Sequence, residues 1–358
     1  MERQEEERKA AKLHTTSILD LPEVIIMYII SLLPVTSAAK CAAVTKKWLE
    51  LWRSIPDWTL DYNLFPNVEN KNKKFRSFVD KVVYMHQGPG IKSMKIHYVQ
   101  HDQYDLISLH HTERWIRHLV QKNIVRLDIN IHNQAQLPFS LFTCGTITEL
   151  RLGILFKELP LKGEVLLPNL KILYLEQIKF SSQIQFERLM NGCLVLEDLH
   201  MKGCSFFAPD FNHLTFSHPN IKSLNLERCG GIGALKIYIW LPSLSEFRFN
   251  GAGLVDQEGV IDLSSVSTAV LDLDDILYTY RCRMSNGIMT SCGSNMSRIL
   301  ATVCHARKLT LSDWCLEVCF FLFCPMNSIC PLIYFIWVVL FRKTIHKSIV
   351  ILARYLSS

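Results

Sequence analysis

Apolar residues recur at helical spacing just after the start of the chain and predict a first helix. One continuous helical face is formed by Leu21, Val24, Ile25, Tyr28, Ile29, Leu32 and Leu33. Asp20 and Glu23 have the spacing of a capping box at the start of this helix, with Pro22 in its first turn. Pro34 ends the helix, because a proline disfavours helical geometry at the residue before it.

Two shorter helices are expected directly downstream. Thr36 or Ser37 can cap an alanine-rich helix that ends near Val44. The third helix carries one apolar face, formed by Trp48, Leu51 and Trp52. Together the three segments predict a small helical domain of about 35 residues.

The first helix carries more apolar surface than such a small domain needs. Residues 24–30 are all apolar, so Ile26, Met27 and Ile30 point away from the main face. Domains of this size form only marginal cores. The extra surface is therefore covered either by a partner protein or by the domain that follows.

A second pattern, apolar-x-x-apolar-x-apolar, repeats along the chain from residue 124. Its six clear copies are Ile124, Leu127 and Ile129; Ile147, Leu150 and Leu152; Leu170, Leu173 and Leu175; Leu196, Leu199 and Met201; Ile221, Leu224 and Leu226; and Leu244, Phe247 and Phe249. The copies start 23 to 26 residues apart, which is the period of leucine-rich repeats. A weaker seventh copy uses Thr268, Leu271 and Leu273, and an eighth, at Ala306, Leu309 and Leu311, follows after an irregular gap.

Each copy predicts one short strand whose alternate side chains enter the core. The third and fifth positions then point out of the concave face: Glu149, Arg151, Ile172, Tyr174, Asp198, His200, Ser223, Asn225, Glu246 and Arg248. Mixed charge with aromatic residues suits a protein partner better than a phosphate backbone, although any such face can also be merely solvated. Cys204 and Cys229 follow two copies at an inward position, where their thiols can satisfy backbone groups of the turn.

Composition and charge exclude several classes of function. The chain has 358 residues, a net charge of +6 and twelve cysteines. The mild charge argues against a dedicated nucleic-acid binder. The charged first twelve residues contain no secretory signal, so the scattered cysteines are interpreted as reduced, buried thiols.

Candidate chemistry is weak throughout the sequence. Nucleotide-binding, zinc-protease and serine-hydrolase motifs are absent, and the glycines at 230–233 fit a turn. Neither the pair His110-His111 nor His305 has a partner at ligand spacing, and Cys315, Cys319, Cys324 and Cys330 lack the tight pairs of zinc sites. We therefore expect a non-enzyme without catalytic residues, metal or cofactor.

The helical domain resembles an F-box. The resemblance rests on Leu21-Pro22, Leu32-Leu33-Pro34, Lys46-Lys47-Trp48 and Leu51-Trp52, with Thr45 as a minor departure. It is most similar to the plant family of F-box/leucine-rich-repeat proteins, in which a similar repeat array follows. The resemblance implies docking onto the Skp-type adaptor of a cullin-based (SCF) ubiquitin ligase. The implied adaptor-binding residues are Leu21, Pro22, Ile25, Ile29, Leu32, Leu33, Trp48 and Trp52.

The resemblance predicts an α+β chain in which a three-helix F-box precedes an irregular, horseshoe-like leucine-rich-repeat solenoid. We expect a disordered leader at 1–16, the F-box at 17–58, a linker with packing helices at 59–122, repeats at 123–313 and an apolar tail at 314–358. The basic run at 70–76 is expected to be solvated, and residues 112–120 to form a packing helix. The implied function is a non-catalytic substrate receptor in the cytoplasm or nucleus that binds the adaptor, through it a cullin, and an unidentified target protein, but no nucleic acid. The alternative is a repeat scaffold outside any ligase, with or without a membrane anchor, or a truncated or non-functional family member whose F-box has degenerated.

The tail leaves three interpretations open. Residues 318–341 contain no charged side chain, and this run is long enough for one membrane span. A basic flank follows it. Pro325 and Pro331 interrupt the run. Residues 309–317 resemble the start of a continuation towards an FBD-type domain, and the resemblance then stops. The tail is therefore a misread or truncated gene model, a membrane anchor or a buried capping segment.

Overall fold

The computed structural model describes residues 21–33, 35–42, 45–86, 90–98, 109–131, 136–206, 211, 213–231, 236–251, 260–273, 299–303, 305–312, 315 and 349–352. The leader, most of the tail and the predicted span at 318–341 lie outside these residues. Among the described helices, none has both the length and the apolar character needed to cross a membrane.

The three predicted N-terminal helices are present as α1 (Glu23–Leu32), α2 (Val35–Ala42) and α3 (Lys46–Arg53). Helix α1 follows an N-cap at Pro22 that makes no side-chain capping bond, and Asp20 of the predicted capping box lies outside the described residues. Helix α2 starts at Val35, just before the predicted caps. Thr45 caps α3, and its hydroxyl accepts a hydrogen bond from the Trp48 backbone N–H at 3.2 Å.

One large sheet dominates the described chain. It contains β1 (Asp57–Asp61), β2 (Ser93–Tyr98), β3 (Arg126–Ile131), β4 (Glu149–Glu158), β5 (Ile172–Lys179), β6 (Asp198–Lys202), β8 (Ser223–Glu227), β10 (Glu246–Gly251), β11 (Thr268–Leu273), β12 (Lys308–Leu311) and β13 (Ile349–Leu352), adjacent in this order. All neighbours pair in parallel except β12 and β13. A second, two-stranded sheet pairs β7 (His213–Ser217) with β9 (Lys236–Trp240). The crossovers carry α4 (Lys71–Met85), α5 (Leu109–Gln121), a 3-10 helix (Phe139–Thr143) and α6 (Gln183–Gly192).

The repeat template forms the core of this sheet, as its six clear copies predict. All eighteen template side chains of these copies are buried. Their fourth positions lie in one register across the strands, so that Leu127, Leu150, Leu173, Leu199, Leu224 and Phe247 form a single row. The eighth copy is also in register, because Leu309 and Leu311 pair with Ala269 and Leu271.

The predicted seventh copy is wrong by two residues. Ala269 and Leu271 pair with Phe247 and Phe249, so the copy starts at buried Val266 and not at Thr268. A slip of two residues keeps the same side chains facing the core. Strand alternation therefore could not distinguish the two registers. The correct register was missed because Ala269 is small, whereas the other copies have a large apolar residue at this position.

The sheet also begins earlier than the sequence pattern indicates. Two further copies of the template are buried and in register with β3. The first is Ile55 with Trp58 and Leu60 of β1, and the second is Ile91 with Met94 and Ile96 of β2. Part of the predicted linker at 59–122 is thus sheet. The basic run at 70–76 is also not a plain solvated linker, because it forms the first turns of helix α4. This helix buries Phe75, Val79, Val82 and Val83. The helix expected at 112–120 is confirmed as α5, with Trp115 buried.

Candidate interaction surfaces

Helix α1 is apolar on both sides, and the structure shows which side faces inward. Ile26 and Ile30 are 0% and 1% exposed, whereas Val24 is 75%, Tyr28 63% and Leu32 67% exposed. The continuous apolar face of α1 that the sequence pattern predicts therefore points outward. The side that sequence analysis treated as surplus forms the packing contact. We call Val24, Ile25, Tyr28 and Leu32 the outer α1 face.

The inward side of α1 belongs to a core that the helices share with the sheet. Trp52 of α3 packs edge-to-face on Trp58 of β1, with ring centroids 5.0 Å apart. The Trp58 indole N–H donates to the Ile55 carbonyl at 2.9 Å, and the same carbonyl lies 3.2 Å from His86 Nε2. Burial lowers the pKa of His86, which keeps the ring neutral at this joint.

The structure divides the eight predicted adaptor-binding residues into three groups. Pro22, Ile25 and Leu32 are exposed, and Leu21, Ile29 and Leu33 are half-buried. Trp48 and Trp52 are core residues, at 5% and 6% exposure, and their part in adaptor binding stays a prediction. They fix α3 against α1 and the sheet. The predicted adaptor-binding set did not include Val24 and Tyr28, although their helical spacing places them on the same face as Ile25 and Leu32.

The outer α1 face continues into an apolar cleft beside the first strand. A cavity of about 640 Å³ lies between α1, β1 and the segment leading into α4. Val24 and Tyr28 line it together with Leu64, Phe65 and Phe78. The apolar surface is therefore wider than one helix, which is the usual form of a protein-binding patch.

The second surface is the outward side of the large sheet, here called the polar sheet face. All the predicted target-contacting residues lie on it. The register places Glu149, Ile172, Asp198, Ser223 and Glu246 in one row, and Arg151, Tyr174, His200, Asn225 and Arg248 in the next. The structure thus brings together every residue that the repeat pattern assigned to this face, and their role in binding stays a prediction.

A third row on this face was missed by the sequence template. It contains His97, Asn130, Glu176, Lys202, Glu227, Asn250 and Asp272. The template ends at its sixth position, but most of the strands extend one residue further. The seventh position has the same parity as the third and fifth, and that alternation was the available signal.

Ion pairs connect most charges of the polar sheet face to one another. Arg151 donates to Glu149 at 2.7 Å, and Arg248 pairs with Glu246 in the same way. In the third row Lys202 Nζ lies 3.1 Å from Glu176. Such exposed pairs contribute only about 0–1 kcal/mol each to stability. Their main consequence is that the paired charges are less available to a binding partner than the unpaired ones.

An aromatic pair lies at the middle of the face. The rings of Tyr174 and His200 meet edge-to-face with centroids 4.4 Å apart, and the Arg151 guanidinium lies 5.5 Å from the centre of the Tyr174 ring. Burial lowers the pKa of His200 despite Glu227, whose carboxylate lies 3.6 Å from Nε2. Burial likewise raises the pKa of Tyr174. Both rings are therefore neutral near pH 7.

The cysteines of the array are structural. The Cys204 thiol donates to the Leu175 carbonyl and the Cys229 thiol to the Met201 carbonyl, both at 3.4 Å, which confirms the predicted inward position. Burial raises the pKa of Cys193 to about 12, so this thiol is unreactive at neutral pH. Across the described residues, no three His, Cys, Asp or Glu side chains come together in a way that could hold a metal ion. Cys319, Cys324 and Cys330 lie outside that part of the chain.

Two sequence families match the chain in the same order as these surfaces. The F-box domain model matches residues 18–60, which include the outer α1 face. The model described as "FBD-associated F-box protein At5g56370, LRR repeats" matches residues 112–239, which include the middle of the polar sheet face. Neither description names a catalytic domain.

Curated relatives agree with both matches. The chain is 32% identical over 182 residues to FBD-associated F-box protein At1g66310 of Arabidopsis thaliana, and 28% identical over 258 residues to F-box/FBD/LRR-repeat protein At1g51370. These matches cover 50% and 72% of the chain, but only 39% and 54% of the relatives. F-box/LRR-repeat protein At4g14103 is 27% identical over 84% of the chain and 79% of its own length. The chain thus matches an F-box domain followed by FBD-associated leucine-rich repeats, and it is similar to F-box/LRR-repeat proteins of Arabidopsis thaliana.

Proposed function

We propose that the chain is the substrate-recognition subunit of an SCF-type cullin ubiquitin ligase. The outer α1 face binds a Skp-type adaptor, which connects the chain to a cullin. The repeats, arranged as a solenoid, hold a target protein on the polar sheet face. F-box proteins are generally the substrate adaptors of such ligases. Ubiquitin transfer is then the work of the other subunits, and this chain contributes no catalytic group.

The proposal rests on the exposed outer α1 face. The opposite side of the helix already packs into the core through Ile26 and Ile30. Burying one such side chain stabilises a complex by about 1.5–3 kcal/mol, so leaving several in water is unfavourable unless a partner covers them. The described part of the chain does not cover them. An F-box domain with an uncovered apolar helix face is what adaptor docking requires.

The polar sheet face supports the second half of the proposal. Its strands run in parallel and in one register from β1 to β12, so neighbouring repeats present equivalent positions side by side. The shared core at Trp52 and Trp58 joins the helices directly to the first strand. A target on the sheet is thereby kept at a fixed distance from an adaptor on α1.

Capture of the full-length chain by a purified Skp-type adaptor tests the proposal. We expect Leu32→Asp to reduce capture at least tenfold, because a charge is placed in the apolar contact. The matched control is Ile184→Asp on α6, since Ile184 is 66% exposed and Leu32 is 67% exposed. This control should bind like the wild type.

Two outcomes would contradict the proposal. A folded wild-type chain that fails to bind the adaptor would favour a repeat scaffold outside any ligase. Undiminished capture of the Leu32→Asp variant would show that the outer α1 face is not the docking surface. Circular dichroism of both variants separates these outcomes from unfolding.

A further inference from the structure

The middle of the polar sheet face combines apolar, aromatic and charged groups in one place. Ile172 and Tyr174 of β5 lie directly beside Asp198 and His200 of β6. We call these four residues the Asp198 patch. All four side chains are partly exposed and lie on the outward side of the sheet.

Asp198 differs from the neighbouring carboxylates of its row. Glu149 is held by Arg151, and Glu246 by Arg248. Asp198 has no ion pair or hydrogen bond to its side chain within the described residues. The nearby Lys222 is already bound by Glu197 at 2.7 Å. One charge at the centre of the face is thus left without a partner.

This charge is unfavourable in the free protein. Burial and the negative charges of Glu197 and Glu246 raise the pKa of Asp198, and the positive charge of Lys222 offsets this only in part. An acid whose pKa is raised by folding destabilises the folded state once it is ionised. Groups that reduce stability in this way are typical of binding sites, where they become stabilised only when a ligand arrives.

We infer that the Asp198 patch binds a cationic side chain, arginine or lysine, of an exposed segment of the target protein. The aliphatic stem packs on Ile172 and Tyr174, as such stems do along apolar surface. The cationic head reaches the Asp198 carboxylate, and a guanidinium can do so with two hydrogen bonds. Neutral His200 adds no opposing charge. The inference rests on the proposed role of this face in target binding.

An acidic or phosphorylated segment fits the patch less well. The cations around it are already held by carboxylates, since Arg151, Lys202 and Arg248 each have one, and Lys171 and Lys222 share Glu197. Binding an anion would require breaking one of these pairs and would place negative charge next to Asp198. The patch therefore selects for positive charge on its partner.

Selection from a random peptide library displayed on phage tests the inference without knowledge of the target. The full-length wild type, Asp198→Asn and Glu187→Gln serve as baits. Glu187 lies on α6, away from the sheet, and its substitution removes the same charge. We expect the wild type and Glu187→Gln to enrich peptides with arginine or lysine at one fixed position, and Asp198→Asn to lose this preference.

A double-mutant cycle then tests whether Asp198 contacts the cationic side chain of the peptide. A selected arginine peptide should bind Asp198→Asn about tenfold or more weakly than the wild type, as expected when one partner of an interfacial charge pair is removed. The same peptide with citrulline in place of arginine should bind both proteins equally. Selection of acidic or purely apolar peptides, absence of any selection, or a cationic preference that survives Asp198→Asn would overturn the inference.

Adaptor capture by the same three proteins keeps the two proposals separate. Asp198 lies on the sheet and the adaptor surface on α1, so capture should be equal for all three. Normal capture without cationic peptide selection refutes the patch alone. Cationic selection without adaptor capture refutes the ligase role alone.

Discussion

The joint between the helical domain and the sheet leads to a quantitative prediction. Trp58 is 3% exposed, meets Trp52 edge-to-face and donates a hydrogen bond to the Ile55 carbonyl. Replacement of a buried tryptophan by alanine costs about 3–5 kcal/mol, since packing is lost and a cavity remains. We therefore expect Trp58→Ala to lower the free energy of unfolding by that amount.

Two control variants separate the contributions. Trp58→Phe keeps an aromatic ring and loses the indole N–H, so we expect a smaller loss. The lost hydrogen bond contributes about 0.5–1.5 kcal/mol to it, because His86 Nε2 still lies 3.2 Å from the Ile55 carbonyl. Trp240→Ala makes the same chemical change at a tryptophan that is 56% exposed on β9. Its effect should stay within about 1 kcal/mol.

Urea denaturation of the full-length chain, followed by tryptophan fluorescence and far-ultraviolet circular dichroism, measures these effects. Because helices α1 to α3 share a core with β1, both signals should shift together in Trp58→Ala. Adaptor capture should also weaken, since Trp52 loses the ring that supports α3. The reasoning is refuted if the helical domain unfolds in a separate transition that Trp58→Ala leaves unchanged, or if Trp240→Ala is equally destabilising.

Two further predictions concern packing and pH. A Cβ at Gly192 would overlap Val165, so Gly192→Ala should cost about 1–3 kcal/mol. Gly145→Ala, with no atom within 4 Å of the new Cβ, should be nearly neutral, and chemical denaturation distinguishes the two variants. Burial lowers the pKa of His218, which contacts the Cys193 carbonyl at 2.8 Å and accepts from the Asn220 N–H. Its neutral form therefore stabilises the fold above the unfolded pKa of about 6.5, and this stabilisation is lost as the pH falls below that value. Denaturation at pH 7 and pH 5 should show a smaller difference for His218→Gln than for the wild type, and an unchanged difference would contradict the argument.

The register of the sheet shows how much the amino-acid sequence determined. Leucine, isoleucine and phenylalanine at the template positions specify which side of each strand is buried, because a strand alternates its side chains strictly. That rule placed the core and the polar sheet face correctly. It failed at Val266, where a shift of two residues preserves the alternation. It also missed β1 and β2, where helices lengthen the crossovers beyond the usual repeat period.

Only the tertiary structure decided which side of α1 faces outward. Both sides are apolar, so the sequence pattern is nearly symmetric and cannot distinguish a packing face from a docking face. The choice depends on the core that Ile26 and Ile30 share with Trp48 and Trp52 of α3 and with the first strand. Likewise, Asp198 has no ion-pair partner because the nearby cations already pair with other carboxylates. Those pairings depend on distances between side chains within and across strands. The sequence thus determined the faces of the strands by local alternation, whereas the use of each face was set by long-range packing and charge pairing.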